Sequence, residues 1–380
     1  MACNPVRVGV LFGGKSGEHE ISLLSAKTVI GALDAAGYET VRLGITRAGE
    51  WLTGPDPLAQ LTSSEKRKNG DVKARDADSA LLAPPAPQFP LLEQSERLPA
   101  VDLIFPVLHG PYGEDGTVQG LLEMLEMPYV GCGVLASAVA MDKGTSKALF
   151  TAAGIPQVAY RTLLRRNWME GPESNPDLRQ ERREKILDGL ESDLQYPLFV
   201  KPANLGSSVG ISKVRDRAEL ACAIELACRY DRKVLVEAGV NDARELEVSV
   251  LGNDEPRTSI VGEVVPANEF YDYEAKYLDE GSRLLIPADI PSALADEIRQ
   301  LAVRAFQALD GAGLARADFL LGGDGQLFLN ELNTMPGFTA SSMYPKLWEA
   351  SGVPLSELVG SLVDMALERH ADRRQNRIHR

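Results

Sequence analysis

"GVLFGGKSGEHEIS", residues 9–22, satisfies the phosphate-loop pattern G-x-x-x-x-G-K-S from Gly9 to Ser16. Such a match counts only when the residues inside it form a loop whose backbone N–H groups can wrap an anion. Here Val10, Leu11 and Phe12 continue an apolar run from Val6, which predicts a buried strand with the turn starting at Gly13. A strand cannot cradle a phosphate, and Gly13-Gly14…Gly17 is a poor dinucleotide fingerprint. If the protein uses a nucleotide, another part of the chain holds it.

Outward from this stretch, Leu23, Ala26, Ile30 and Leu33 recur at helical steps, so a helix is predicted from about Glu20, with Gly37 suited to its end. Val41 to Ile45 predicts a second strand, and "VDLIFPVLHG" (101–110) a third that ends in a glycine-rich loop. This alternation predicts an open α/β sheet with its ligand crevice beyond the carboxyl ends of the strands. "FGGKSGEHE" (12–20) and "HGPYGEDGT" (109–117) both follow such ends and are expected to face one crevice. Residues 54–100, with "APPAPQFP", read as a surface excursion, and the charged stretch 165–193 as an exposed helix or insertion. From Pro197 the chain turns strand-rich, and the basic stretch "LERHADRRQNRIHR" (367–380) reads as a helix end running into a frayed terminus.

The chain has 380 residues, enough for two or three domains, with 44% apolar and 25% charged residues. Its net charge of -14 argues against non-specific nucleic-acid binding. Cys3, Cys132, Cys222 and Cys228 have no metal-ligand spacing and read as reduced, buried thiols. No apolar run is long enough to span a bilayer, so a cytoplasmic protein with no membrane or nucleic-acid partner is expected.

The strongest chemical signal is "LARADFLLGGDGQLFLNELNTMPGF" (314–338), two strand-like runs around Asp324-Gly325. A two-residue turn there sets Asp318 opposite Glu331 and Arg316 opposite Asn333, all four on one face. A four-residue loop would slide the pairing and keep the face; a three-residue loop would break it. Asp, Glu and Asn are hard oxygen ligands suited to Mg²⁺, and a cross-strand salt bridge is the plainer alternative. In "FVKPANLGSSVG" (199–210) a strand delivers Lys201 ahead of a Gly- and Ser-rich loop able to form an anion nest. Lys143 in "SAVAMDKGTSK" (137–147) is a further candidate, with a solvated helix lysine as the alternative.

Together with "GGKSGEHEISLLSA", "HGPYGEDGTVQG", "FYDYEAKY" and "NELNTMPGFTASSMYP", these segments resemble the ATP-grasp ligases, and within them the D-alanine–D-alanine ligases. Six motifs in order cover nearly the whole chain; the 165–193 and Pro-rich segments have no counterpart among them. The resemblance implies an ATP-grasp fold of class α/β: an N-terminal open parallel sheet domain (1–140), then a central (141–236) and a C-terminal (237–380) α+β domain clasping ATP. It also implies a homodimer and two Mg²⁺ ions, replaceable by Mn²⁺.

Carried onto matching positions, the resemblance gives Lys143, Lys201 and Lys276 contacts to the phosphates under a lid at 204–210 that includes Ser207 and Ser208. Glu237 begins the segment that reads adenine, partly through the Val240 backbone, and Glu245 holds the ribose. Asp318, Glu331 and Asn333 match the metal ligands. Glu18 holds the first D-alanine's ammonium group near His109. Arg316 and the Gly337 N–H stabilise the oxyanion, and Ser342 and Met343 meet the second carboxylate. Tyr277, Ser207 and Glu18 link the substrate loops.

The implied chemistry needs these residue types. A carboxylate must be activated, here as an acyl phosphate, and cations offset charge on the oxygens during that transfer. An amine then attacks, the oxyanion needs preplaced donors, and a lid keeps water from the acyl phosphate. The alternatives are a D-alanine–D-lactate ligase, against which Tyr277 counts; a phosphate-loop or dinucleotide enzyme; and a non-catalytic nucleotide binder, which would not need Arg316.

Overall fold

Val8, Val10, Leu11 and Phe12 are fully buried in β1 (Arg7–Gly13), an inner strand of a four-stranded sheet. The computed structural model of the chain describes residues 6–52, 54, 56–63, 100–169, 176–206, 209–266 and 283–377, with the backbone alone at 176 and 177. Cys3, Ser207, Ser208, Lys276, Tyr277 and the Pro-rich run lie outside them.

In this first sheet β1 pairs parallel with β2 (Glu39–Ile45) and β4 (Leu103–Val107), and β3 (Trp51–Leu52) adds an antiparallel edge. The predicted helix is α1 (His19–Ala35), which buries Leu23, Ala26, Ile30 and Leu33 against β1. Gly37 follows it at φ 87°, a left-handed conformation that glycine adopts without strain. After β4, α2 (Thr117–Met124), α3 (Val134–Met141) and α4 (Lys143–Ala152) lead toward the rest of the molecule.

The second sheet is antiparallel, in the order β5 (Tyr160–Leu164), β8 (Lys233–Ala238), β6 (Leu198–Pro202), β7 (Ser212–Val214). The stretch 165–193, expected to be exposed, contains α5 (Arg165–Met169) and the whole of α6 (Pro176–Asp193). It is not merely solvated. Trp168, Leu187 and Leu190 are 1%, 4% and 5% exposed and join the core that α7 (Arg217–Tyr230) completes. The charged residues between them masked a sparse apolar stripe.

The third sheet runs β11 (Arg283–Leu285), β10 (Arg257–Val265), β9 (Arg244–Gly252), β12 (Gly313–Leu321), β13 (Leu327–Asn333), all antiparallel. Helix α8 (Ser292–Ala308) covers one face through Ile298, Leu301 and Phe306. On the other side α9 (Met343–Ala350) and α10 (Leu355–Arg373) pack into the core of the first sheet through Tyr344, Trp348, Leu358 and Leu362. The three sheets accord with the expected layout of one parallel and two further α+β units. The boundary drawn at 236/237, however, falls inside β8, whose hydrogen bonding continues to Ala238.

The helix end of the basic stretch is docked, since Arg369 donates to the backbone oxygens of Gly131 and Tyr129 and Arg373 pairs with Glu123; beyond it 374–377 are exposed, and 378–380 lie outside the described residues. One smaller expectation needs correction. Of the cysteines, Cys132 and Cys228 are buried, and burial pushes both thiols up to about 11, but Cys222 is exposed on α7.

Candidate functional site

The turn after β1 is built to aim one carboxylate. Gly13 and Gly14 take φ of 93° and 94°, and a Cβ at Gly13 would lie 2.1 Å from the Ile45 oxygen. Ser22 Oγ accepts the Gly13 N–H at 2.7 Å. Ser16 Oγ donates to the His109 oxygen at 2.6 Å and accepts the Glu18 N–H at 3.2 Å. Glu18 is thereby held at the start of α1, 8% exposed, lining a crevice, while Lys15 is exposed and does not line it. The phosphate-loop pattern is a strand followed by a turn that presents Glu18.

His109 follows β4 and ties the two ends of the chain together. Its Nδ1 lies 3.1 Å from the Met335 oxygen and 3.5 Å from Glu114 Oε1, and its Nε2 lies 3.2 Å from Ser25 Oγ. Ser25 Oγ also accepts the Phe338 N–H at 3.2 Å, so α1 fixes the segment carrying Gly337. Burial alone would lower the His109 pKa; the hydrogen bond and charge of Glu114, with Glu18 and the Met335 oxygen, outweigh it and hold the imidazole above its ordinary value.

The β12–β13 hairpin pairs Arg316 with Asn333 and Asp318 with Glu331, as the sequence predicts, but by a different route. The connection is residues 322–326, where Gly322 and Gln326 close the loop and Gly325 donates to the Gly322 oxygen. Nearer this turn Leu321 faces Leu327 and Phe319 faces Leu329, one residue out of the expected register. A bulge at Asn330 absorbs the difference and restores the pairing at the site. Because of the bulge, Asn330 and Glu331 both line the cavity beside Lys201.

On that face Arg316 donates to both oxygens of Asp318, and its Nε is 3.0 Å from Glu247 Oε2 on β9. Arg316, Glu331 and Asn333 line the crevice; Asp318, covered by Arg316, does not. Glu247, 6% exposed, was not singled out from the sequence, although its spacing two residues after Glu245 in an alternating strand was available.

A second cavity of about 380 Å³ opens between β6, β8, β9 and β13. Its walls mix apolar Val158, Phe199, Ile211 and Leu320 with Lys143, Lys201, Lys213 and Glu245, and with Val240. Such a slot suits a flat heterocycle at one end and an anion at the other. Lys143 begins α4 because Asp142 caps it, accepting the Thr145 N–H at 2.9 Å, so the ammonium adds to the positive end of the helix. Its Nζ donates to the Leu205 oxygen at 2.8 Å and lies 3.7 Å from Glu331 Oε2. Glu237 also lines this cavity, its carboxylate 2% exposed and clamped by Lys147 at 2.7 Å and Lys201 at 2.5 Å. Burial opposes Lys201's charge, and Glu237 more than compensates, so its pKa is raised.

The two cavities meet. Lys143, Gly206 and Glu331 line both, and on the crevice side Gly337, Ser342 and Met343 bring in the N-terminus of α9, which favours a carboxylate. Asp318 and Glu331 face each other with Asn333 two residues on, an all-oxygen set that fits a hard divalent cation. Among the described residues no cluster of three His, Cys, Asp or Glu that could hold a metal ion is found.

A family model described as D-ala D-ala ligase N-terminus matches residues 7–132, and one described as D-ala D-ala ligase C-terminus matches residues 149–364. The D-alanine–D-alanine ligase of Heliobacterium modesticaldum is 49% identical over 378 residues, 98% of each chain. That of Bacillus velezensis is 48% identical over 366 residues, 96% of this chain and 98% of the relative. The solved D-alanine-D-alanine ligase of Coxiella burnetii is similar at TM-score 0.75 and 33% identity, covering 98% of this chain and 97% of its own. The VanG D-Ala:D-Ser ligase of Enterococcus faecalis is similar at TM-score 0.76 and 34% identity, covering 96% and 100%.

Proposed function

The chain belongs to the D-alanine–D-alanine ligase family, with its ATP-grasp fold, and on that premise we propose that it joins two D-alanines at the cost of ATP through a D-alanyl phosphate. The observation that carries this is the junction of the two cavities at Lys143, Gly206 and Glu331, where a terminal phosphate and a carboxylate would be brought together. A divalent metal at Asp318, Glu331 and Asn333 would offset charge on the phosphate oxygens.

The protein's own residues account for the rest. Lys143 and Lys201 hold phosphate, Glu245 the ribose, and the Val240 backbone the adenine, with Ser207, Ser208 and Lys276 assigned to the phosphate side. Glu18 takes the first ammonium group beside His109. Arg316 and the Gly337 N–H receive the oxyanion, and Ser342 and Met343 at the α9 N-terminus bind the second carboxylate. Tyr277 with Ser207 and Glu18 would link the substrate loops. We assign two Mg²⁺ ions that Mn²⁺ can replace, a homodimer, and a cytoplasmic setting; among the described residues no helix is long and apolar enough to cross a membrane. The domains are 1–140, 141–238 and 239–380, the middle boundary moved past β8.

Phosphate release with D-alanine, L-alanine and D-lactate, followed by mass spectrometry of the products, tests the reading. D-Alanyl-D-alanine should dominate and L-alanine should be inert. A depsipeptide as main product would replace the second substrate, and no phosphate release with D-alanine would end the proposal. Activity restored to chelated enzyme by Mn²⁺, and sedimentation in solution, decide the metal and the dimer.

A further inference from the structure

Lys147 lies close to the site yet lines neither cavity. It lies four residues after Lys143 on α4, 1% exposed, with its ammonium 2.7 Å from Glu237 Oε1. The other oxygen of Glu237 is 2.5 Å from the ammonium of Lys201, which does line the nucleotide cavity. The Lys147 ammonium also sits 5.4 Å from the centre of the Tyr160 ring.

A fully buried ammonium is costly, and an apolar side chain of similar length would fill the same space without that cost. Packing therefore does not explain a charge here. Charge counting does. Glu237 and Lys201 alone form a neutral pair, whose field at a phosphate a few ångströms away largely cancels. A second ammonium on the far oxygen makes the trio net positive and occupies the oxygen that Lys201 would otherwise also engage. We propose that Lys147 is a positioning residue of the nucleotide site: it neutralises Glu237 from behind, so that Lys201 is held in place yet keeps its charge for the phosphates.

Burial alone would raise the Glu237 carboxyl, but Lys201 and Lys147 outweigh it and hold it at about 2, so the carboxylate stays ionised throughout the neutral range. The inference rests on the reading of this cavity as the nucleotide site.

The test is calorimetric titration of a non-hydrolysable ATP analogue into wild type, Lys147→Met and Lys147→Met/Glu237→Gln, with the KM for D-alanine measured beside it. Lys147→Met, with a neutral trio, should bind the analogue about tenfold or more weakly, while its KM for D-alanine stays within twofold. The double variant regains the net positive charge and should return to within about threefold of wild type. Unchanged binding in Lys147→Met overturns the proposal. So does a double variant as weak as the single one, because the role would then be packing. If Lys147→Met does not fold, the double variant decides: wild-type-like binding supports charge compensation and a tenfold loss refutes it. Wild type that fails to bind the analogue sinks the nucleotide reading itself, a separate outcome.

Discussion

Arg316 and Asp318, two residues apart on β12, are locked in a two-pronged ion pair, with both N···O distances 2.7 Å. In the proposed assignment the metal carboxylate is thus also the one that aims the oxyanion donor, with Glu247 as a second support at 3.0 Å. Metal binding and Arg316 orientation would then be coupled through one side chain. Glu331→Gln should lower turnover by about 100-fold and raise the Mg²⁺ concentration required, since it removes one anionic ligand. Asp318→Asn should lose about tenfold more, because it also releases Arg316. Mg²⁺-dependent steady-state kinetics of the two variants check this, and equal losses would show that the ion pair does not matter to catalysis.

Lys15 is exposed in the turn after β1 and Lys201 is enclosed beside Glu237, so their substitutions should separate cleanly. Lys15→Ala should leave ATP-analogue affinity within about twofold of wild type, as expected for a screened surface charge. Lys201→Ala should weaken it by about 100-fold through loss of a charge-assisted contact. The reverse result would reinstate a phosphate loop at residues 9–16.

The pairing of His109 with Glu114 carries a pH dependence whose sign follows from the raised imidazole pKa. A raised folded value means that the protonated pair stabilises the fold fully below the unfolded pKa of 6.5, and that this contribution is lost as pH rises through the folded value. Wild type should therefore exceed Glu114→Gln in urea midpoint most at pH about 5.5, with the gap closing toward alkaline pH. A gap that widens with pH would contradict the assignment.

Trp168 lies in the stretch whose composition suggests a solvated insertion, yet it is 1% exposed with the Arg183 guanidinium 4.9 Å from its ring. Trp168→Ala should cost about 3–5 kcal/mol in chemical denaturation, the range for removing a buried aromatic. A loss below about 1 kcal/mol would mean that this part of the chain is dispensable to the core.

Much of the frame is readable along the chain because it rests on short-range periodicity. The apolar run before Gly13 and the helical steps from Leu23 to Leu33 suffice to replace a phosphate loop by strand, turn and helix. The face shared by Arg316, Asp318, Glu331 and Asn333 follows from strand alternation, although the turn that supports it is longer than a two-residue turn and only the Asn330 bulge rescues the register. A bulge leaves little local signal. Its position answers to how β13 must lie beside Lys201 and to the loop at 322–326 together. Likewise the apolar residues of α6 are few enough that charge density hides them until α7 and the second sheet supply their partners.

The family, the order of the chemical motifs and the residue types at the proposed metal and phosphate positions can all be read along the chain, because they are properties of neighbours on one strand or turn. Which charges face one another depends on how the elements pack. Lys147 comes from α4, Glu237 from β8 and Lys201 from β6, and their mutual charge compensation exists only where those elements pack. Glu247 on β9 reaches Arg316 only because β9 and β12 are neighbours. Coulomb interactions depend on distance in space and on the exclusion of water, and neither quantity is written in the spacing of residues along a chain.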